Sequence, residues 1–258
     1  MCITKFFIHF TTNAATPVTP ARRARRCNIP IAVLVVASLL PAAVFAGGQG
    51  EPGSARSSGD AAGVGAAPAE DLRPVRVEFL VGEVTINGDP AEIGDPVPAG
   101  AEIVTGPQGR VEIVFGSGNI IEIRAATELT LDTANPANGI DLRRGQFAAV
   151  FDRLETIGMG RNDTFAVQTP ATVAGVRGTA FFVAVESDDQ TYVCTCNGTL
   201  NFGDDGELSV TAARHEAYRF VADGQTARRI PAPEIYHTTD EFNRLAEAVD
   251  VTIEWGDE

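Results

Sequence analysis

An all-β fold, a β-sandwich or irregular β-roll with a short C-terminal α-helix, is what this 258-residue sequence predicts. Three observations carry that reading. From Val75 onward apolar and polar residues alternate, as in Val75, Val77, Phe79 and Val81, which is the period of a half-buried strand. A small unit of glycine, any residue, apolar, any residue, apolar then recurs, as a turn at glycine followed by a short strand would require. A helical period appears only near the end, where Phe242, Leu245, Ala246 and Val249 share one face behind a capping box of Thr238 and Glu241.

Taken in order, residues 1–21 carry no readable pattern. Arg22-Arg23-Ala24-Arg25-Arg26 is a positive segment, and Ile31 to Ala46 is an apolar run broken by Pro41 and ending Ala43-Val44-Phe45-Ala46 before Gly47. About 16 apolar residues fall short of the ~20 needed to span a bilayer, and the small residues at the end fit a cleaved export signal over residues 1–46. No cysteine follows to accept a lipid, and the doubled arginines lack the other residues of a twin-arginine signal. A retained signal would instead make a membrane anchor. Residues 47–72, rich in Gly, Ala, Ser, Pro and Glu, read as a flexible linker. The β domain is placed at 73–230 and the helix and tail at 231–258.

Within the β domain the glycine-led unit is clean at Gly82, Gly109, Gly198 and Gly206, and approximate at Gly145 and Gly178. Asn87-Gly88 is a tight-turn signal. Loops are expected at Pro96 to Gly100, Thr133 to Gly139, Ile157 to Asp163 and Ser187 to Gln190. The stretch Thr169 to Val185 stands at the centre. Gly175 and Gly178 flank Val176-Arg177, and Phe181, Phe182, Val183 and Val185 have the content of a buried strand. The C-terminal helix should lay its apolar stripe on the β body; a docking surface for a partner is the other reading.

Charge narrows the function. No acid precedes Glu51, whereas five of the 20 basic residues do, so the chain after residue 46 carries 15 basic against 34 acidic side chains, a formal −19. Nucleic-acid binding depends on Lys and Arg neutralising phosphates and is not expected here.

Three segments resemble a known family. Gly100-Ala-Glu-Ile103-Val-Thr105-Gly106-Pro-Gln-Gly109-Arg-Val111-Glu-Ile113 is similar to the opening of FecR-type domains. Thr169-Pro170 followed by Val176-Arg177-Gly178-Thr179-x-Phe181-x-Val183 resembles their central signature, and Val193-x-Thr195-x-x-Gly198-x-Leu200-x-Phe202 their closing pair of strands. The resemblance covers about residues 75–220. Its best-known members are transmembrane regulators of iron-uptake sigma factors, which sense a receptor with an exported all-β domain. Only about 30 residues precede the apolar run here, too few for a folded anti-sigma domain. The resemblance therefore implies an exported, stand-alone module.

Arg177, Gly178 and Thr179 are the candidate structural or binding signature. Arg177 could contact a ligand, but the favoured reading is a buried guanidinium holding loop carbonyls. Cys194 and Cys196 are a candidate thiol pair facing one side of a strand. Their Cα atoms would lie ~6.6–6.8 Å apart, at the edge of disulfide geometry. Buried small residues is the first reading, pairing between molecules the second. Half of a metal site is a third, but His215 and His237 show no ligand spacing toward the thiols. Asp188-Asp189 and Asp204-Asp205-Gly206-Glu207 lack the alternating oxygens of a calcium loop and read as solvated turns. Asn162-Asp-Thr164 and Asn197-Gly-Thr199 fit the glycan-acceptor pattern, which is common by chance.

No serine elbow and no phosphate loop is present. The expected function is a non-enzymatic binding or scaffold module of the cell envelope, periplasmic or secreted, without cofactor or metal, whose partner is an envelope protein or a glycan. The alternative is an acidic carbohydrate-active enzyme that uses two carboxylates.

Overall fold

The computed structural model describes residues 75–160, 163–203, 208–223 and 227–257. The expected leader (1–46) and linker (47–72), Asn162, and the acidic turn at 204–207 lie outside the described residues. The alternation becomes strands β1 (Arg76–Val81), β2 (Val84–Ile86), β3 (Asp89–Pro90), β4 (Ala101–Thr105), β5 (Arg110–Val114), β6 (Asn119–Ile123) and β7 (Glu128–Asp132). Strands β8 (Gly139–Phe151), β9 (Phe165–Gln168), β10 (Val173–Ser187), β11 (Gln190–Phe202), β12 (Leu208–Ala212), β13 (Glu216–Ala222) and β14 (Ala227–Ala232) follow. The fold is all-β, with one short α-helix among the described residues, α1 (Thr239–Glu247), near the C-terminus.

All the strands share one hydrogen-bonded sheet, ordered β14-β13-β11-β10-β9-β8-β7-β4-β2-β3, with β5, β6 and β1 branching from β8 and β12 from β11. Pairing is antiparallel except where β8 meets β9, with Ile140 beside Val167. Side chains from opposite ends of this order nevertheless share one core: Val84 and Ile103 lie in the same cluster as Phe147, Phe181, Leu200 and Phe220. A flat sheet of this width could not bring them together, so the sheet curls around its core. The roll, rather than a pair of separate sheets, is the form the structure takes.

The reading of uniformly short strands needs correction. Gly145, Gly178 and Gly198, taken as turns, lie inside β8, β10 and β11, which run for 13, 15 and 13 residues. Each has a positive φ, so the glycines bend or bulge continuous strands instead of ending them. The Asn87-Gly88 turn is present, with both residues at positive φ as a two-residue hairpin demands. The Gly106 to Gly109 turn shows a second use of glycine. A Cβ on Gly109 would sit 2.3 Å from the Glu83 carbonyl oxygen, which the Gly106 N–H reaches at 2.8 Å.

The central strands are buried on both faces. Period two sends Val193 into the main core, while Tyr192, Cys194 and Cys196 point to the opposite face beside Ile120, Val150 and Phe182. Helix α1 covers that second face with Phe242, Leu245 and Ala246, so its apolar stripe does pack on the β body. The capping box is complete: the Thr238 hydroxyl accepts from the Glu241 N–H, and the Glu241 carboxylate accepts from the Thr238 N–H at 2.8 Å. A charge network also fastens the helix. Arg244 donates to Glu112 at 2.7 Å and to Glu122 on β5 and β6, and Arg124 donates to Glu122 at 2.9 Å and to the Tyr236 carbonyl at 2.8 Å. No helix among the described residues is long and apolar enough to cross a membrane.

Candidate functional site

The central signature is a pair of offsetting bulges. Val176 faces Leu200 and Thr179 faces Gly198, so β10 holds one residue more than β11 over that interval. Ala180 then faces Asn197 and Phe181 faces Thr195, so β11 regains the residue at Cys196. The first bulge also marks where β10 passes from β9 to β8. Gly178 takes φ +61 there, a left-handed conformation that β-branched residues resist. Thr179 is buried, and its hydroxyl donates to the Thr199 carbonyl at 2.9 Å and accepts from the Thr199 N–H at 3.2 Å. Gly178 thus meets a backbone requirement and Thr179 closes a cross-strand hydrogen-bond pair. Arg177 is not buried as expected: it is exposed and lines a surface hollow of about 410 Å³ with Asp152, Glu155 and Asp163.

The second bulge builds a different kind of site. At Cys196, β11 exchanges β13 for β12 as its neighbour, and the turn joining those two strands accommodates the exchange. The His215 N–H in that turn donates to the Cys196 carbonyl at 2.9 Å, and His215 itself takes φ +33. This unusual backbone aims the imidazole at the thiols, the kind of strain that concentrates at functional positions. His237 arrives from the segment just ahead of α1, its ring stacked on Phe182 at 4.8 Å. Cys194 Sγ lies 3.5 Å from Cys196 Sγ and 3.8 Å from His215 Nδ1. His237 Nε2 lies 3.3 Å from Cys196 Sγ and 3.3 Å from His215 Nδ1. All four atoms fall within 4.8 Å of one another.

The surroundings are apolar and enclosed. Both thiols are fully buried and free, and His215 stacks on Trp255 at 5.0 Å. Burial of this kind opposes pairing with a second molecule. His215 Nε2 meets the Thr239 hydroxyl at 2.9 Å, whereas His237 Nδ1 is buried without a hydrogen-bond partner. Glu234 stands 3.6 Å from His215 Nδ1 on the solvent side. The Cys194 thiol is held well below its ordinary value, chiefly because Cys196 donates to it, with burial opposing and both histidines assisting. Burial and that same donation push Cys196 up. The pair gives up one proton easily and a second with difficulty.

The sequence placed the two thiols on one strand face but not the imidazoles beside them. His215 follows Cys196 across a strand and a turn, and His237 lies further on, spacings outside any short ligand motif. The usable signal was compositional: the two histidines after the leader accompany the two cysteines after the leader. Of the other sequence candidates, Asp188 and Asp189 form an exposed turn. Half-buried Asn197 is engaged within the chain, donating to the carbonyls of Ala213 at 3.1 Å and Glu254 at 2.8 Å.

Residues 101–201 match the model of a family described as FecR protein. That span opens on the first residue of β4 and closes near the end of β11, so Cys194 and Cys196 lie inside it and His215 and His237 outside. No curated protein matches the chain. Two crystal structures of a candidate anti-sigma factor from Parabacteroides distasonis ATCC 8503 are similar at 15% identity and a TM-score of 0.39. The similarity covers 50% of this chain and 59% of theirs.

Proposed function

With residues 101–201 identified as a FecR-type domain, we propose that this chain is an exported, non-enzymatic binding or scaffold module of the cell envelope, delivered by its N-terminal segment and acting in signalling through an envelope protein or glycan. The observation that carries the reading is the family match, which takes in the long central strands and both bulges. The exposed face beside Arg177 supports a contact role for that residue, because the bulge presents a guanidinium among carboxylates at the surface.

The two-carboxylate enzyme finds little support in the buried acids. Glu112 and Glu122 are the buried carboxylates among the described residues, and they face each other across β5 and β6. Arg244 binds both, and Arg124 and Arg110 add to Glu122, so these acids serve helix docking. Crosslinking in envelope extracts, paired with a glycan panel, tests the proposal. Capture of a specific envelope partner or binding of a glycan without turnover is expected. Hydrolysis of any glycan by the purified chain would replace this reading with the enzyme.

A further inference from the structure

We propose that Cys194, Cys196, His215 and His237 form a closed, tetrahedral S2N2 site for a zinc-class divalent ion that staples the C-terminal segment to the β roll. The inference goes beyond the envelope reading and does not depend on it. Tetrahedral zinc with metal–sulfur distances of ~2.3 Å and metal–nitrogen distances of ~2.0–2.1 Å requires ligand separations of ~3.8 Å between sulfurs, ~3.5 Å between sulfur and nitrogen and ~3.4 Å between nitrogens. Four of the six observed separations are 3.5 Å for the sulfurs, 3.3 and 3.8 Å for sulfur to nitrogen, and 3.3 Å for the nitrogens, and the other two sulfur-to-nitrogen pairs lie within 4.8 Å. Four atoms able to ligate a soft cation are thus gathered within the reach of one ion.

The outer contacts fit as well. A ligating imidazole ordinarily donates its second N–H to an oxygen, which fixes the tautomer; His215 has Thr239 in that place, whereas His237 Nδ1 has no such partner. The apolar cover of Phe182, Phe242 and Trp255 excludes water. Hard cations such as calcium or magnesium take oxygen ligands and do not suit two thiols. Four protein donors leave no open position, so the site is structural rather than catalytic. On binding, whatever S–H protons remain leave for solvent and two metal–sulfur and two metal–nitrogen bonds form; the two thiolates balance the charge of the ion.

Position gives the site its consequence. Cys194 and Cys196 belong to the sheet, His215 to the turn between β12 and β13, and His237 to the segment leading into α1. One ion therefore ties the helix and tail to the central strand. Because two donors lie outside residues 101–201, the site belongs to this chain's extension of the FecR-type domain.

The reduced full chain, freed of metal under anaerobic conditions, should bind Co2+ at one per chain, with thiolate-to-cobalt charge-transfer bands and the intense visible bands of tetrahedral cobalt. Zn2+ should displace it, and chelation should lower the melting midpoint of the zinc-loaded chain. Cys196→Ser and His237→Gln should each lose the cobalt bands and the chelator sensitivity while keeping the far-ultraviolet dichroism of a folded sheet. Should those variants fail to fold, the wild-type cobalt titration alone decides. Reduced wild type that takes up neither Co2+ nor Zn2+ stoichiometrically would overturn the site and leave a hydrogen-bonded quartet. Stoichiometric metal retained by both variants would place the metal elsewhere, and native copper in place of zinc would overturn the zinc-class assignment.

Discussion

At the scale of single residues, the central signature divides into parts with different work. Gly178 holds φ +61 with ordinary space around a notional Cβ, the nearest atom being the Phe151 carbonyl oxygen at 3.6 Å, so the backbone rather than crowding enforces glycine. Gly178→Val should cost about 1–2 kcal/mol, the penalty for a left-handed non-glycine residue, read as a lower melting midpoint. An unchanged midpoint would mean that the bulge relaxes without loss. Arg177→Ala should behave in the opposite manner: even an exposed ion pair is worth only about 0–1 kcal/mol, so melting should hardly move while partner capture falls. A large drop in midpoint would restore the buried, structural role first expected of it. Sequence could find this signature because its constraints are local, a glycine for one φ and a threonine for one cross-strand pair. The thiol–imidazole cluster was only half legible, because its histidines are brought in by the exchange of partners along β11 and by the docking of the C-terminal segment.

Among the elements, α1 was the most readable, since capping and a 3.6-residue stripe are written within a few residues of each other. What holds it down was not readable, because Glu112 and Glu122 occupy alternating positions in strands whose outer faces the pattern alone would assign to solvent. Burial of those carboxylates depends on the helix arriving with Arg244. Arg244→Met should therefore destabilise by about 1–3 kcal/mol, less than the loss of a fully buried pair, because Arg244 is partly exposed and Glu122 keeps Arg124. Adding Glu112→Gln should recover part of that loss in urea melts. A double variant weaker than the sum of the single ones would contradict a charge-based anchor. The long strands were also misread in sequence, because a glycine that bulges a strand and one that ends it look alike without the pairing partner.

For the whole molecule, the one-sheet roll follows from alternating residues that must all reach a single core, and this much the period-two pattern could convey. The closure could not be read, since it depends on β8 and β10 each serving several neighbours along their length. Stability should weaken in acid. Burial pushes the Glu186 carboxyl up, but hydrogen bonds from Arg219, Gln190 and Tyr236 outweigh it and hold the group below its ordinary value. The hydrogen bond from Arg143 does the same for Glu128. A carboxyl held low stabilises the fold above the ordinary carboxylate range, and that stabilisation is lost as pH falls through the folded value. Urea midpoints should therefore decline on acidification, and Glu186→Gln should flatten the decline; an equal slope in the variant would remove Glu186 from the explanation. The central claim, an exported envelope module, is tested most directly by fractionating the native cell and weighing the intact chain. The account expects the protein outside the cytoplasm, with a mass that begins at Gly47. A cytoplasmic species of full mass would contradict it.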